Sequence, residues 1–393
     1  MKTMNGVGGK KDITIIDVAK KAGVSQATVG RVIGGYGSVS EKTRKKVKKT
    51  IKELNYVPNA IAQSMKSKNT NTIGLIVGNV ANSFFGEIAK SIDAVCTENH
   101  YNVIISNTGE SIEGEINALK TLYSKRIDGL IIATAQRSNV ILDDKIISLY
   151  TGSVPVVYID REIFSIDELC VKTDHFGGAN KGTNYLLEKG HTKIGIITGL
   201  QTSPMEQRVD GYRKALENHG IEFKPEYVRF GNVIAIEEGR LCTKDLLEKN
   251  KELTAIFPLN NLLCIGALLA INELGLRIPD DISVIGWDDF ALANILNPPL
   301  TVIAQDTNRI GKLAAEKLFE VMREEQADAF GEKRITLGMQ LIERGSCAQP
   351  VSYTHLARYL ETVENHHYEI RAKRSQNSSG EYVRRKVDKK VYA

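Results

Sequence analysis

Apolar positions near the amino terminus have the spacing of two short helices separated by a glycine. Thr14 and Asp17 stand at the spacing of a variant capping box, and Gly23 supplies a left-handed residue that ends the first helix. Ser25 then caps the second helix. The positions predicted to face inward are Val18, Ala19, Ala22, Val29, Val32 and Ile33. This pattern predicts a helix-turn-helix that exposes Gln26, Ala27, Gly30 and Arg31.

The residues that follow predict a third helix and then a helix break. Ser40 caps a helix that runs to about Asn55, with Val47, Ile51 and Leu54 facing inward. Pro58 interrupts the segment NYVPN, and proline favours the first turn of a new helix. Residues 66–71 are polar and predict a linker.

From Ile73 onward, short apolar strands alternate with helical segments. IGLIV, NVIIS, GLIIA and VVYID predict one parallel sheet, and KIGIITG, VRFG, AIFPL and SVIGW predict a second. This alternation is typical of βαβ crossovers and doubly wound sheets. We expect the chain to return to the first lobe after Pro298-Pro299-Leu300-Thr301, through TVIAQ.

The amino-terminal head and the rest of the chain differ in net charge. Residues 1–68 contain 15 Lys/Arg and 4 Asp/Glu, residues 351–393 contain 9 and 5, and the whole chain is only +5. Residues 69–350 are therefore acidic overall. A basic head on an acidic body attracts DNA phosphate in one orientation. Because a helix-turn-helix inserts its second helix into the major groove, the sequence predicts a DNA-binding regulator.

Composition argues against other classes of protein. Hydrophobic residues make up 42% of the chain, but no apolar run reaches the roughly 20 residues needed to cross a bilayer. The start MKTMNGVGGKKD lacks the apolar segment of a secretory signal. The five cysteines are scattered, with no CxxC: Cys96, Cys170, Cys242, Cys264 and Cys347. We therefore expect a cytoplasmic protein without a metal site, a disulfide framework or a cofactor.

The segments IIDVAKKAGVSQATVGRVI, SVSEKTRKKVKKTIKELNYVPNAIAQSM and IGLIV resemble the lactose-repressor (LacI/GalR) family of transcription regulators. The resemblance extends from about Ile13 to Cys347. It implies an α-helical helix-turn-helix head and an α/β, periplasmic-binding-protein-like body of two doubly wound parallel-sheet lobes. The implied domains are a DNA-binding domain at 1–58, a hinge helix and linker at 59–71, an effector-binding and dimerisation domain at 72–347, and a non-family tail at 348–393.

The resemblance also implies which residues contact operator DNA. Gln26, Ala27 and Arg31 stand at base-reading positions; arginine suits guanine, glutamine adenine, and alanine a thymine methyl group. Ser25 and Thr28 are expected to bind phosphate, and Thr14 belongs to the same surface. Asn59, Ala62 and Met65 fall on the hinge helix, where Met65 either wedges into the minor groove or packs only against its own domain.

Two departures from the family lie in the second helix. Gly30 replaces the usual serine, and Gly34-Gly35 replaces leucine–asparagine. Because glycine costs about 1 kcal/mol relative to alanine in a helix, we expect this helix to fray at its end and to lack one phosphate contact.

The candidate effector residues by family position follow the predicted strands: Asn79, Phe84, Asp160, Arg208, Asn260, Asp288 and Gln305. The carboxyl ends of parallel strands face a ligand cleft in such folds. Carboxylates, amides and a guanidinium suit the hydroxyl groups of a sugar or sugar derivative, and Phe84 and Trp287 would stack on its ring. Taken singly, each Asp or Asn is equally well explained as a turn former or helix cap. Asn261 stands where the family usually has aspartate.

Other functions fit the sequence less well. Asp288 and Asp289 are adjacent and point apart, no GxSxG accompanies His175 or His191, and GVGGKK lacks the strand that precedes a phosphate loop. No enzymatic activity is therefore expected. A solute-binding protein would share the body but leaves the basic head unexplained. A catabolite-control regulator that binds a phosphorylated carrier protein stays open as an alternative.

The predicted regulator, a repressor, is a homodimer, with a tetramer left open, on a pseudo-palindromic operator. Effector binding changes the angle between the lobes and thereby the hinge helices, which couples the two sites reciprocally. Whether the effector releases DNA or promotes its binding stays open.

The tail begins Val351-Ser352-Tyr353-Thr354-His355-Leu356, which resembles a translated transposon end used in sequencing libraries. We therefore expect the tail to be disordered or an assembly artefact.

Overall fold

The computed structural model describes residues 13–56, 69–136, 144–152, 154–163, 166–167, 169–199, 202–323 and 333–350. The hinge-helix predictions at Asn59, Ala62 and Met65 and the tail prediction at 351–393 lie outside the described residues. The chain separates into two compact units, one within residues 1–72 and 126–128 and the other in the remainder.

The first unit contains the predicted helix-turn-helix. Its helices are α1 (Ile15–Ala22), α2 (Gln26–Gly34) and α3 (Glu41–Leu54). The Thr14 backbone N–H donates to Asp17 Oδ2 at 2.9 Å, and Ser25 Oγ accepts from the Thr28 N–H at 3.1 Å, so both predicted caps form. Gly23, with a φ of 62°, makes the turn between the first two helices. The core consists of Val18, Ala19, Ala22, Val29, Val32 and Val47.

The first lobe of the second unit is a six-stranded sheet in the order β11-β5-β4-β3-β1-β2. Its strands are β1 (Thr72–Val77), β2 (Asn102–Asn107), β3 (Gly129–Ile132), β4 (Val156–Ile159), β5 (Leu169–Thr173) and β11 (Arg334–Leu337). Its helices are α4 (Ser83–Glu98), α5 (Ile112–Ser124), α6 (Asp144–Thr151) and α11 (Thr307–Arg323). Burial of β1, β3 and β4 on both faces explains why these strands are continuous apolar runs.

The second lobe is a six-stranded sheet in the order β12-β10-β9-β8-β6-β7. Its strands are β6 (Ile194–Thr198), β7 (Val228–Phe230), β8 (Ala255–Pro258), β9 (Ser283–Trp287), β10 (Thr301–Ala304) and β12 (Gln340–Ile342). Its helices are α7 (His175–Glu188), α8 (Ser203–Asn218), α9 (Ile236–Lys249) and α10 (Asn261–Glu273), with 3-10 turns at Pro225–Tyr227 and Ala291–Asn294. Along β9, Ile285 joins the cluster with α7 and α8, and Val284 joins the cluster with α9 and α10. The sheet therefore has a core on each face.

Within the described ranges, the chain passes between the lobes at three places that lie side by side. The crossings follow β5, β10 and β11. The Asp174 N–H donates to Leu337 O at 2.8 Å, and Thr173 Oγ1 donates to Gln305 Oε1 at 2.5 Å. These hydrogen bonds tie the three segments into one hinge, at residues 173–174, 305 and 337–338.

The chain returns to the first lobe one element later than we expected from the sequence. TVIA forms β10, which pairs with β9 in the second sheet, and the chain crosses back only after Gln305, through α11. A short apolar run that is buried on both faces fits either sheet, so only its partner strand decides where it belongs. Strands β5, β11 and β12 were not predicted, because LCVKT, RITL and QLI are short and interrupted by polar residues.

Candidate effector cleft and DNA-binding face

One pocket is lined by all the predicted effector residues. The first lobe contributes Asn79, Phe84 and Asp160, and the second contributes Arg208, Asn260, Asp288 and Gln305. The loops that follow the strands of both sheets meet here, which is where open α/β sheets bind ligands. The cavity volume is about 20 Å³, roughly the space of one water molecule, so the two lobes are nearly closed over the site.

Two aspartates at corresponding strand ends have a left-handed backbone. Asp160, directly after β4, has a φ of 63°, and Asp288, directly after β9, has a φ of 66°. Left-handed residues other than glycine cost of order 1–3 kcal/mol and cluster at functional sites. Each lobe therefore presents one carboxyl group to the pocket, from a residue with the same strained backbone conformation.

Arg208, on α8, is buried against several acceptors. Its Nη1 donates to Leu259 O at 2.6 Å, its Nη2 lies 3.2 Å from His175 Nδ1, and its guanidinium stacks 4.0 Å from the Trp287 ring centre. Burial lowers the pKa of Arg208 to about 10, so the residue stays charged near neutral pH.

His175 connects Arg208 to Asp160. Arginine has only donors, so His175 Nδ1 must accept, and the ring proton then resides on Nε2. That nitrogen lies 3.3 Å from Asp160 Oδ1. Burial and the charge of Arg208 lower the pKa of His175. Although burial opposes it, the contact with His175 and the charges of Arg161 and Arg208 hold the pKa of Asp160 below its ordinary value.

A second chain of hydrogen bonds leads from the hinge into the pocket. Thr173 Oγ1 donates to Gln305 Oε1, and Gln305 Nε2 donates to Asp288 Oδ1 at 2.7 Å. Burial raises the pKa of Asp288 to about 6, despite the opposing effects of Arg208 and Gln305. Asp160 is therefore a fixed anion, whereas Asp288 changes charge close to neutral pH.

The sequence interpretation missed four polar residues of the pocket, namely Asn82, Glu110, Arg161 and Thr202. Arg161 is buried in an ion pair with Glu110, whose Oε1 lies 3.0 Å from Arg161 Nη2. Thr202 lines the second lobe, and its buried hydroxyl has no hydrogen-bond partner among the described residues. Arg161 directly follows the predicted Asp160, so its position was a usable signal, but the distant partner Glu110 was not.

Trp287, expected from the sequence to stack on the ligand, is not among the residues that line the pocket. Its side chain is fully buried in β9 and packs on Phe257, with ring centres 6.0 Å apart. Arg208 lies between the tryptophan and the polar groups of the pocket, so the indole ring contacts the guanidinium and not the interior of the pocket. Phe84 and Phe85, packed edge to face at 5.1 Å, are the aromatic residues that line the pocket.

Two predicted amide side chains form a turn or a helix cap beside the pocket, which the sequence had left as an equal alternative. Asn79 Oδ1 accepts from the Ala81 N–H at 3.0 Å in a turn before α4, and Asn260 caps α10, its Oδ1 accepting from the Leu262 N–H at 2.9 Å. Asn261 Nδ2 donates to Asn82 Oδ1 at 2.7 Å and thus joins the two lobes directly. An aspartate at position 261 has no such donor.

The predicted DNA-contacting residues of the head are exposed or partly exposed. Gln26, Ala27 and Arg31 are exposed on α2, and Ser25 and Thr28 lie at its first turn. Thr14 is also exposed, and its hydroxyl donates to Asp17 Oδ2 at 2.7 Å. The side chains at the base-reading positions are therefore accessible, whereas those of Thr14, Ser25 and Thr28 also hold helix ends.

Within the part of the chain that the structure describes, no cluster of His, Cys, Asp and Glu has the arrangement of a metal site, and no helix is both long and apolar enough to cross a bilayer.

Bacterial transcription regulators are similar to this chain over most of its length. The family model "Bacterial regulatory proteins, lacI family" matches residues 14–59, and "Periplasmic binding protein-like domain" matches residues 183–347. The ribose operon repressor of Escherichia coli (strain K12) is 35% identical over 335 residues, covering 85% of this chain and 99% of the relative. The HTH-type transcriptional repressor PurR of Pasteurella multocida (strain Pm70) is 36% identical over 316 residues, covering 80% and 93%.

Solved structures show the same architecture. The lac repressor dimer bound to operator and the anti-inducer ONPF matches with a TM-score of 0.74 at 29% identity, over 86% of this chain and 100% of that chain. The CelR–cellobiose complex matches with a TM-score of 0.63 at 29% identity, over 85% and 99%.

Proposed function

The chain belongs to the lacI family of bacterial regulatory proteins, and on that premise we propose that its effector is a neutral polyol, namely a sugar or sugar derivative. As a member of this family it is a DNA-binding transcription regulator, not an enzyme, that responds to a small molecule and acts as a dimer. We also propose that it represses transcription in the cytoplasm, with the domain limits at residues 58, 71 and 347.

The observation that supports a neutral effector is the charge balance of the pocket. Arg161 is paired with Glu110, whereas Arg208 donates to Leu259 O and lies against His175, with Asp160 and Asp288 acting on it through their charges. The carboxyl groups of Glu110, Asp160 and Asp288 outnumber the two guanidinium groups, so they would repel a phosphate or carboxylate ligand. Hydroxyl groups, in contrast, can donate to carboxylates and accept from amides and the Thr202 hydroxyl. The pocket therefore favours a polyol.

The names of two relatives refer to sugars. They are the ribose operon repressor and the CelR–cellobiose complex. The polar lining, with Phe84 and Phe85 on one side, fits a sugar that has one apolar ring face.

A thermal-shift screen of the full-length protein tests the effector class. The panel contains neutral pentoses, hexoses and disaccharides, the corresponding sugar phosphates, and nucleobases. We expect a neutral sugar to raise the Tm, since a ligand at one hundred times its Kd adds about 2.7 kcal/mol to the free energy of unfolding. A shift produced by sugar phosphates or nucleobases, with none from neutral sugars, would contradict the proposal.

Effector binding should weaken as the pH falls below about 6. A ligand hydroxyl that donates to Asp288 prefers the carboxylate, and the pKa of this residue lies at about 6 because it is buried. Binding then releases a proton, so each pH unit below the pKa lowers the affinity by up to about tenfold. Calorimetric titration with the best sugar of the screen at pH 5 and pH 7.5 measures the effect. An equally steep dependence in Asp288→Asn would exclude Asp288 as its source.

Asn261→Asp should lower the affinity for the same sugar about threefold to tenfold. Asn82 Oδ1 already accepts from the Phe84 N–H at 3.0 Å, so an aspartate would bring its carboxylate against an oxygen that cannot be turned away without losing the cap. The contact between the lobes is lost and replaced by repulsion. Asn261→Ala, which removes the contact without the repulsion, serves as control and should have a smaller effect. Equal affinities in the wild type and the aspartate variant would refute this role.

A further inference from the structure

Tyr36 folds back over two glycines of α2. A Cβ atom on Gly34 would lie 2.4 Å from Tyr36 Cε1, and one on Gly30 would lie 3.7 Å from the Tyr36 hydroxyl oxygen. Gly35, with a φ of 72°, makes the reversal that brings the ring onto the helix. The ring therefore occupies the space that a side chain at position 34 would fill. Its hydroxyl lies beside Gly30, where the helix has no side chain.

The same helix face contains a predicted base-reading residue. Gln26, Gly30 and Gly34 are four residues apart and lie one above the other on α2. Gln26 is exposed, and Tyr36 is 53% exposed although one side of its ring contacts the helix. Next to it, a Cβ atom on Gly37 would lie 3.3 Å from Arg31 Cδ, so the segment 35–37 also contacts the stem of Arg31. Tyr36 is thus part of the surface that α2 presents to DNA.

We propose that Tyr36 is a DNA-contact residue whose hydroxyl donates a hydrogen bond to a backbone phosphate of the operator. Recognition helices contact base edges mainly with their amino-terminal residues. Gly30 is the fifth and Gly34 the last of the nine residues of α2, so Tyr36 approaches the helix from its carboxyl-terminal end. Tyrosine hydroxyls are common donors to phosphate oxygens. Tyr36 thereby supplies, from outside the helix, the polar group that Gly30 lacks. This inference rests on the DNA-binding role of the head.

A phosphate contact can be separated from mere packing by two single variants and their combination. Tyr36→Phe keeps the ring on the glycines and removes only the hydroxyl. Gly34→Ala keeps the hydroxyl but displaces the ring, because the added Cβ would overlap Cε1. Alanine also stabilises a helix relative to glycine, so this variant should not weaken the head.

The probes are a duplex selected from random DNA with the wild-type full-length protein and a random duplex of equal length. We expect Tyr36→Phe to weaken binding to both duplexes by about fivefold to tenfold. The slope of log affinity against log salt should not change, since no cation is removed. Gly34→Ala should cause a similar loss with an equal or higher Tm. The double variant should bind no more weakly than either single variant, since both remove the same contact.

Three outcomes would overturn the proposal. Wild-type affinity of Tyr36→Phe would leave the ring with a packing role only. A loss confined to the selected duplex would assign the hydroxyl to a base instead of a phosphate. Additive losses in the double variant would show that Gly34 acts independently of Tyr36. Failure of the wild type to select any duplex would instead count against the DNA-binding role itself.

Discussion

Arg31→Ala should reduce the preference for operator over random DNA by roughly 10- to 100-fold while leaving effector binding unchanged. Arg31 is exposed on α2, and its stem lies against Gly37. A bidentate contact to guanine contributes about 1–3 kcal/mol of discrimination against the wrong base. Fluorescence anisotropy at matched salt, with the selected and the random duplex, measures both affinities.

The exposed Lys48 of α3 provides the matched control. Lys48→Ala removes one positive charge from the same head, so any loss should be similar for the two duplexes. If Arg31→Ala also weakens both duplexes equally, Arg31 binds the DNA backbone and the base-reading role is wrong.

Arg208→Met should abolish the response to effector, with at least a hundredfold loss of affinity for the sugar found in the screen. The variant leaves His175 Nδ1 and Leu259 O without their donor and removes the positive charge next to Asp160 and Asp288. Breaking a buried ionic arrangement by removing one partner typically costs about 3–5 kcal/mol. We therefore also expect a lower Tm, with operator binding retained at temperatures where the body is folded.

Arg213→Met is the control for this experiment. Arg213 lies on the same helix, α8, but pairs with Asp210 at the surface, where an ion pair contributes about 0–1 kcal/mol. It should bind the sugar like the wild type. If a folded Arg208→Met variant binds the sugar with wild-type affinity, Arg208 is not part of the effector site.

The head could be predicted from the sequence almost completely because its determinants are local. Thr14, Ser25 and Gly23 act on residues within one helical turn, and spacing alone reveals them. The effector candidates were found because each follows a strand, and parallel strands end at one edge of a sheet. What they do there depends on distant partners. The pair of Arg161 and Glu110 spans 51 residues, and that of Thr173 and Gln305 spans 132, so no local pattern indicates either.

Errors in the interpretation also have a physical origin. An exposed tryptophan and a buried one look alike in sequence, and Trp287 is buried because β9 is covered on both faces. The segment TVIA fits either sheet by its apolar pattern, and only its pairing with β9 assigns it to the second.

The chain of hydrogen bonds that runs from Thr173 through Gln305 to Asp288 has a consequence for pharmacology at this site. Gln305 belongs to both the hinge and the pocket lining. A ligand group that binds to Gln305 therefore contacts the hinge directly, whereas a group that binds elsewhere in the cleft does not. Potency and efficacy are then separate properties of a ligand. Two sugars that differ in one hydroxyl next to Gln305 can occupy the cleft equally well and still act as agonist and antagonist of the same repressor.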